Sequence, residues 1–128
     1  MPQIKVLLVE DNPLLRRWIL SSLENAGLVV VAPETFREAA RLAAASGGCT
    51  VLITDWQLEE GHTGFEILEF MNGHHPPVLS ILMSADCDAE LEARARRAGF
   101  NCVMQKPLRV AEIVGAVQQA ASEARIVA

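Results

Sequence analysis

Five short runs rich in valine, isoleucine and leucine, separated by segments with helical spacing, restrict the folds open to this chain more than any other feature. The runs are Ile4–Val9, Leu28–Ala32, Val51–Thr54, Val78–Met83 and Phe100–Met104, each four to six residues long and mostly without polar alternation. A strand with one wet face would alternate polar and apolar residues. Continuous apolar runs of this length suit strands buried on both faces, as in a parallel sheet.

The intervening segments read as helices. Asn12-Pro13 looks like an N-cap followed by a first-turn proline, and Leu15, Ile19 and Leu23 then recur every four residues until Gly27 stops the helix. A second, alanine-rich helix is predicted from about Glu34 to Ser46, ending at Gly47-Gly48. A third, Phe65 to Met71, places Phe65, Leu68 and Met71 on one side, with Gly73 beyond it. The fourth, Asp88 to Ala98, has only the thin stripe Leu91, Ala95 and Ala98 among Glu90, Glu92, Arg94, Arg96 and Arg97, so it has little to bury. The fifth, about Val110 to Ser122, offers Val110, Ile113, Val114 and Val117 as a core face. The order is (βα)5, which predicts an α/β fold: a doubly wound five-stranded parallel sheet with helices on both sides and right-handed crossovers.

Composition narrows the class. The 128 residues suit one domain, 1–128 with a core of about 4–122, large enough to fold without disulfides or metal staples. With 51% hydrophobic and 21% charged residues the chain has the balance of a globular protein rather than a disordered one. A formal net charge of −5 provides no basic footprint, which argues against direct nucleic-acid binding. The apolar stretch Val6–Val9 ends in Glu10-Asp11 and is too short for a signal-peptide core or a membrane span, so a cytoplasmic location with no membrane partner is expected. Cys49, Cys87 and Cys102 form no CxxC pair and read as free thiols; a redox role for Cys87 is the weaker alternative. His62 and the pair His74-His75, which runs into Pro76-Pro77, read as loop residues rather than metal ligands.

A doubly wound sheet places its functional crevice outside the carboxyl ends of its strands. The residues that follow the runs are Glu10-Asp11, Asp55, Ser84 and Lys106-Pro107. Three carboxylates crowded together repel one another unless a cation shares the site. Mg²⁺ is the natural candidate, being a hard ion that takes carboxylate and carbonyl oxygens, and Lys106 adds a flexible point charge suited to a phosphate. A strand-end carboxylate such as Asp55 can attack phosphorus and form an acyl phosphate when the charge on the transferring oxygens is neutralised. Ser84 would offer a hydroxyl to a phosphoryl oxygen.

The segments Val6-Leu7-Leu8-Val9-Glu10-Asp11-Asn12, Val51-Leu52-Ile53-Thr54-Asp55, Leu82-Met83-Ser84-Ala85 and Gln105-Lys106-Pro107-Leu108 stand in the order and spacing of a known pattern. Over nearly its whole length the chain resembles the receiver domains of two-component response regulators. The resemblance implies a flavodoxin-like strand order, 2-1-3-4-5. It implies Glu10 and Asp11 as the acidic pair, Asp55 as phosphoacceptor, Ser84 as switch hydroxyl, Lys106 as phosphate-binding lysine and the Gln57 backbone carbonyl as a further Mg²⁺ ligand. It also implies a cis Lys106–Pro107 bond, and a sensor histidine kinase or histidine phosphotransfer protein as phosphodonor; Trp18, on the first helix near where such donors dock, reads first as an ordinary packing residue and second as a docking one.

The chain departs from the family pattern in two places. The loop from Trp56 to Gly64 lacks the usual proline at Glu59 and is one residue longer. Val103 replaces the usual Tyr or Phe three positions before the lysine, and the chain has no tyrosine. Any signal from Ser84 is therefore expected to pass through other contacts, such as a shift of the Asp88–Ala98 helix. Trp56, directly after the acceptor, has two readings: a screen that keeps water from the acceptor, or a fluorescent reporter of Mg²⁺. The leading reading is a phosphorylation-dependent signalling switch, not an enzyme beyond its own phosphoryl transfer and dephosphorylation. The alternatives are a receiver-like interaction module that no longer takes phosphate, an aspartate-based phosphohydrolase, in which Gln57 would stand where an acid is needed, and a flavin-binding protein, for which no phosphate-cradling loop follows the first run. No output domain is expected after Ile126-Val127-Ala128. The cognate kinase, the downstream partner and a homodimer through the last two helices are left open.

Overall fold

The computed structural model describes residues 4–45 and 49–127. Its elements run β1 (Lys5–Val9), α1 (Pro13–Asn25), β2 (Val29–Val31), α2 (Phe36–Ala44), β3 (Val51–Asp55), α3 (Gly64–Asn72), β4 (Leu79–Ser84), α4 (Ala89–Ala98), β5 (Cys102–Gln105) and α5 (Val110–Val127), with a 3-10 turn at Glu59–Gly61. The five strands form one parallel sheet in the order β2-β1-β3-β4-β5, as expected. The register aligns Leu8 with Ile53, Ile53 with Ile81 and Ile81 with Cys102.

Strand geometry sends successive side chains to opposite faces, and each apolar run therefore feeds two cores. Leu7, Val9, Leu52 and Leu82 pack with Ala39, Ile67, Leu68, Met71, Leu91, Ala95 and Phe100, the inward residues of α2, α3, α4 and the entry to β5. Val6, Leu8, Val51, Ile53, Ile81 and Met83 pack on the other face with Ile19 and Leu23 of α1 and Ile113 and Val117 of α5. α4 contributes only Leu91 and Ala95 to its core, which bears out its thin stripe; Ala98 is exposed.

Local chemistry sets the helix ends. The Asn12 side chain accepts hydrogen bonds from the backbone N–H groups of Leu14 and Leu15 at 3.0 and 3.1 Å, with Pro13 in the first turn. Gly27, at φ 89°, ends this helix through the Leu28 N–H bond to the Leu23 carbonyl. α2 starts at Phe36 rather than Glu34, because the Thr35 hydroxyl caps the Glu38 N–H and leaves Glu34 outside. The expected stop at Ser46-Gly47-Gly48 lies outside the described residues. α3 starts one residue before Phe65, on a capping box in which the Glu66 carboxylate accepts from the Thr63 N–H at 2.7 Å. No helix among the described residues is long and apolar enough to cross a membrane.

Candidate functional site

Parallel strands that all end on one rim bring residues far apart in sequence together there. Lys106 extends from the end of β5 to the ends of β1 and β3, its Nζ 2.6 Å from Glu10 Oε1 and 2.9 Å from Asp55 Oδ1. The Glu10 and Asp55 side chains are only 1% and 14% exposed. The second Glu10 oxygen accepts from the Asn12 N–H at 3.1 Å, and Arg16 donates to the Glu10 carbonyl at 3.2 Å. The Lys106–Pro107 peptide bond is cis, as the resemblance implied.

Burial pushes the Asp55 carboxyl up to about 7, reinforced by the Glu10 carboxylate beside it and opposed by Lys106. Burial opposes charge on Glu10 as well. Hydrogen bonding with Asp55, Lys106 and the Asn12 amide outweighs it and holds Glu10 below the usual glutamate range. Burial also works against the Lys106 ammonium, but its bonds to Glu10 and Asp55 keep it above the usual lysine range. Asp11 stands on the same rim, exposed; its carboxyl is raised by partial burial, then by Glu59 and Glu10, while a contact with the Glu59 backbone amide works the other way.

No group of three or more His, Cys, Asp or Glu side chains among the described residues is gathered as it stands to hold a metal ion. Lys106 lies between two of the three expected carboxylates. The donor chemistry nevertheless fits Mg²⁺: every candidate atom is a hard carboxyl or carbonyl oxygen.

Asp55, Gln57, Ser84 and Lys106 line one cavity of 440 Å³, together with Trp56, Ala85, Asp86, Asp88, Glu90, Leu91 and Arg94. The Ser84 hydroxyl is engaged within its own loop, donating to the Asp86 carbonyl at 3.0 Å and accepting from the Asp86 N–H at 3.2 Å. Burial raises all three cysteine thiols, and nearby Glu92, Asp86 and Asp88 add to the effect at Cys87, which disfavours its reactive thiolate.

The lengthened loop after Asp55 has a definite shape. Gln57 and Thr63 form an antiparallel bridge, and the extra length is taken up by Glu60 at φ 55° followed by Gly61 at φ 78°. Glu59, where the family usually has proline, accepts from the Phe36 N–H at the start of α2 at 2.5 Å. His62 is more than a loop residue: its ring stacks on Phe36 at 3.7 Å, and its Nδ1 lies 3.2 Å from Glu66. Gly64 closes the loop against β3, where a side chain would collide with the Asp55 carbonyl and Thr54.

Reasoning from sequence missed Arg94. Its guanidinium carbon lies 5.1 Å from the ring centroids of both Trp56 and Phe65. The only signal for it was that position 94 lies three residues after Leu91, at the edge of the apolar stripe. Trp18 is 48% exposed, consistent with its expected place off the α1 core stripe, and Leu14, one turn before it, is 75% exposed.

The family model for the response regulator receiver domain matches residues 6–118. The chemotaxis protein CheY of Pseudomonas aeruginosa is 32% identical over 108 residues, spanning 81% of this chain and 85% of that protein. The transcriptional regulatory protein HprR of Escherichia coli is 28% identical over 116 residues, which are 90% of this chain but 50% of that longer protein. Among solved structures, a CheY-like response regulator receiver domain protein from Methanospirillum hungatei matches with TM-score 0.86 at 18% identity, covering 98% of this chain and 99% of that one. A receiver domain protein from Clostridium thermocellum matches with TM-score 0.85 at 21% identity, over 98% and 99% of the two chains. At such identities the structural likeness speaks for the fold.

Proposed function

The chain belongs to the response regulator receiver family, and from that premise we propose that it is a cytoplasmic switch that takes a phosphoryl group from a phosphohistidine onto Asp55. The observation that carries this is the Lys106 ammonium lying between the Glu10 and Asp55 carboxyls, with Asp55 and Lys106 both lining the cavity. The deprotonated Asp55 carboxylate attacks phosphorus, the bond from phosphorus to the imidazole nitrogen breaks, and the imidazole, protonated on its other nitrogen, leaves neutral with the electron pair. Lys106, already within reach of Asp55 Oδ1, turns from the carboxylate to a phosphoryl oxygen and offsets its charge. Ser84 reaches another such oxygen by giving up its two bonds to Asp86.

Glu10, Asp11, Asp55 and the Gln57 carbonyl are the groups that would hold Mg²⁺. When bound, the ion would supply positive charge to the transferring oxygens. The donor is a sensor histidine kinase or histidine phosphotransfer protein, and the exposed Leu14 and Trp18 on α1 offer it apolar surface. The chain's own chemistry is confined to its phosphorylation and dephosphorylation, since Gln57 has no proton-donating acid to assist a leaving group.

The test is incubation with Mg²⁺ and acetyl phosphate, followed by intact mass of wild type and Asp55→Asn. A single phosphoryl adduct on the wild type alone is expected; equal labelling of both would remove Asp55 from its role.

A further inference from the structure

Six charged side chains line the cavity, of which Asp55, Asp86, Asp88 and Glu90 are acidic and only Arg94 and Lys106 cationic. Lys106 already faces Glu10 and Asp55. Phosphorylation adds about −1.5 to −2 charges, and the remaining cation of the cavity is Arg94. That residue is exposed and stacked over Trp56 and Phe65.

The rings beneath it are fixed to the acceptor. Trp56 follows Asp55 directly, with its N–H bonded to the Met83 carbonyl and its carbonyl accepting from Gly64, both within 3.0 Å. Its indole meets Phe65 edge-on at 5.4 Å, and Phe65 meets the buried Phe100 at 5.6 Å just before β5. α4 itself has only Leu91 and Ala95 buried. Its arginine seat on Trp56 and Phe65 adds a second hold, of cation–π size, to that small buried contact. Val103 has no ring or hydroxyl with which to relay a change at the acceptor.

The geometry points to Arg94 as the residue that couples the acceptor site to α4. With Asp55 unmodified, its guanidinium rests on Trp56 and Phe65. With Asp55 phosphorylated, it leaves the rings for the new negative charge and loosens α4. This rests on Asp55 being the acceptor. Arg94 thus meets the phosphoryl group only after transfer is complete and passes the change on through its helix.

The test uses the full chain labelled with 5-fluorotryptophan, so that Trp56 has its own ¹⁹F resonance, on samples that intact mass shows to be fully phosphorylated by acetyl phosphate with Mg²⁺. In the wild type, phosphorylation should shift the Trp56 resonance and speed amide exchange across Ala89–Ala98 roughly two- to fivefold, the size expected for loss of an exposed cation–π contact. In Arg94→Gln the unphosphorylated protein should already show fast exchange across Ala89–Ala98, with no further acceleration on phosphorylation. Arg94→Lys should keep part of both responses. Wild-type responses in phosphorylated Arg94→Gln would overturn the coupling and leave the acceptor reading intact. A wild type that takes no adduct would overturn the acceptor reading, and the coupling with it.

Discussion

Lys106 and Glu10 stand 96 positions apart in the chain and are joined by a 2.6 Å ion pair at the rim of the sheet. With its side chain 1% exposed, Glu10 has in that ammonium one of the partners that keep it charged, beside Asp55 and the Asn12 amide. Lys106→Met should destabilise the metal-free protein by roughly 3 kcal/mol, the low end for removing one partner of a buried pair. Urea denaturation would measure the loss, and added Mg²⁺ should recover part of it. An unchanged midpoint would show that the pair contributes nothing.

Asp55 gives the metal-free protein a pH signature. Its carboxyl rises from 3.8 to about 7 on folding, so between those values the native state holds a proton that the unfolded state releases. Its contribution is fully present below the unfolded value and is lost as pH rises toward 7. Glu10 is shifted the opposite way, from 4.5 downward, so its contribution is present above that value and fades only at lower pH. Stability should therefore decline between about pH 4.5 and 7, and Asp55→Asn should flatten the decline. Urea midpoints across this range that rise instead would contradict the assignment.

Gly64 carries α3 against the acceptor strand, so Gly64→Ala should push the helix away from Asp55 and cost about 1–3 kcal/mol, as overpacking does. Acetyl phosphate labelling should slow along with it. Chemical denaturation and timed intact mass would measure both, and wild-type values in each would mean that the approach can relax.

Trp18 separates the protein donor from the small one. Trp18→Ala should slow transfer from a phosphorylated histidine phosphotransfer protein while leaving acetyl phosphate labelling at the wild-type rate. It removes exposed apolar surface outside the cavity lining. Equal slowing with both donors would place the effect in folding rather than docking.

The strands and most helix ends were legible because short-range rules govern them. Asn12-Pro13, Gly27 and the continuous apolar runs each state their role within a few residues. The rim was legible too, since parallel strands have a common exit side and Glu10, Asp55, Ser84 and Lys106 each follow or end one. The loop from Trp56 to Gly64 was not, because its shape depends on Glu59 and His62 meeting Phe36 of another element, a relation without a sequence period. Arg94 was hidden for the same reason: along α4 it looks like one more solvated charge, and only the fold brings Trp56 and Phe65 beneath it.

The sheet is bounded on one side by β2, three residues long, and on the other by β5, four residues long. Either margin exposes too few unpaired backbone groups to template a long added strand, and the long central strands are flanked on both sides. The very alternation that buries β1, β3 and β4 in apolar side chains thus also withholds their fibril-prone sequences from neighbouring molecules for as long as the native state persists.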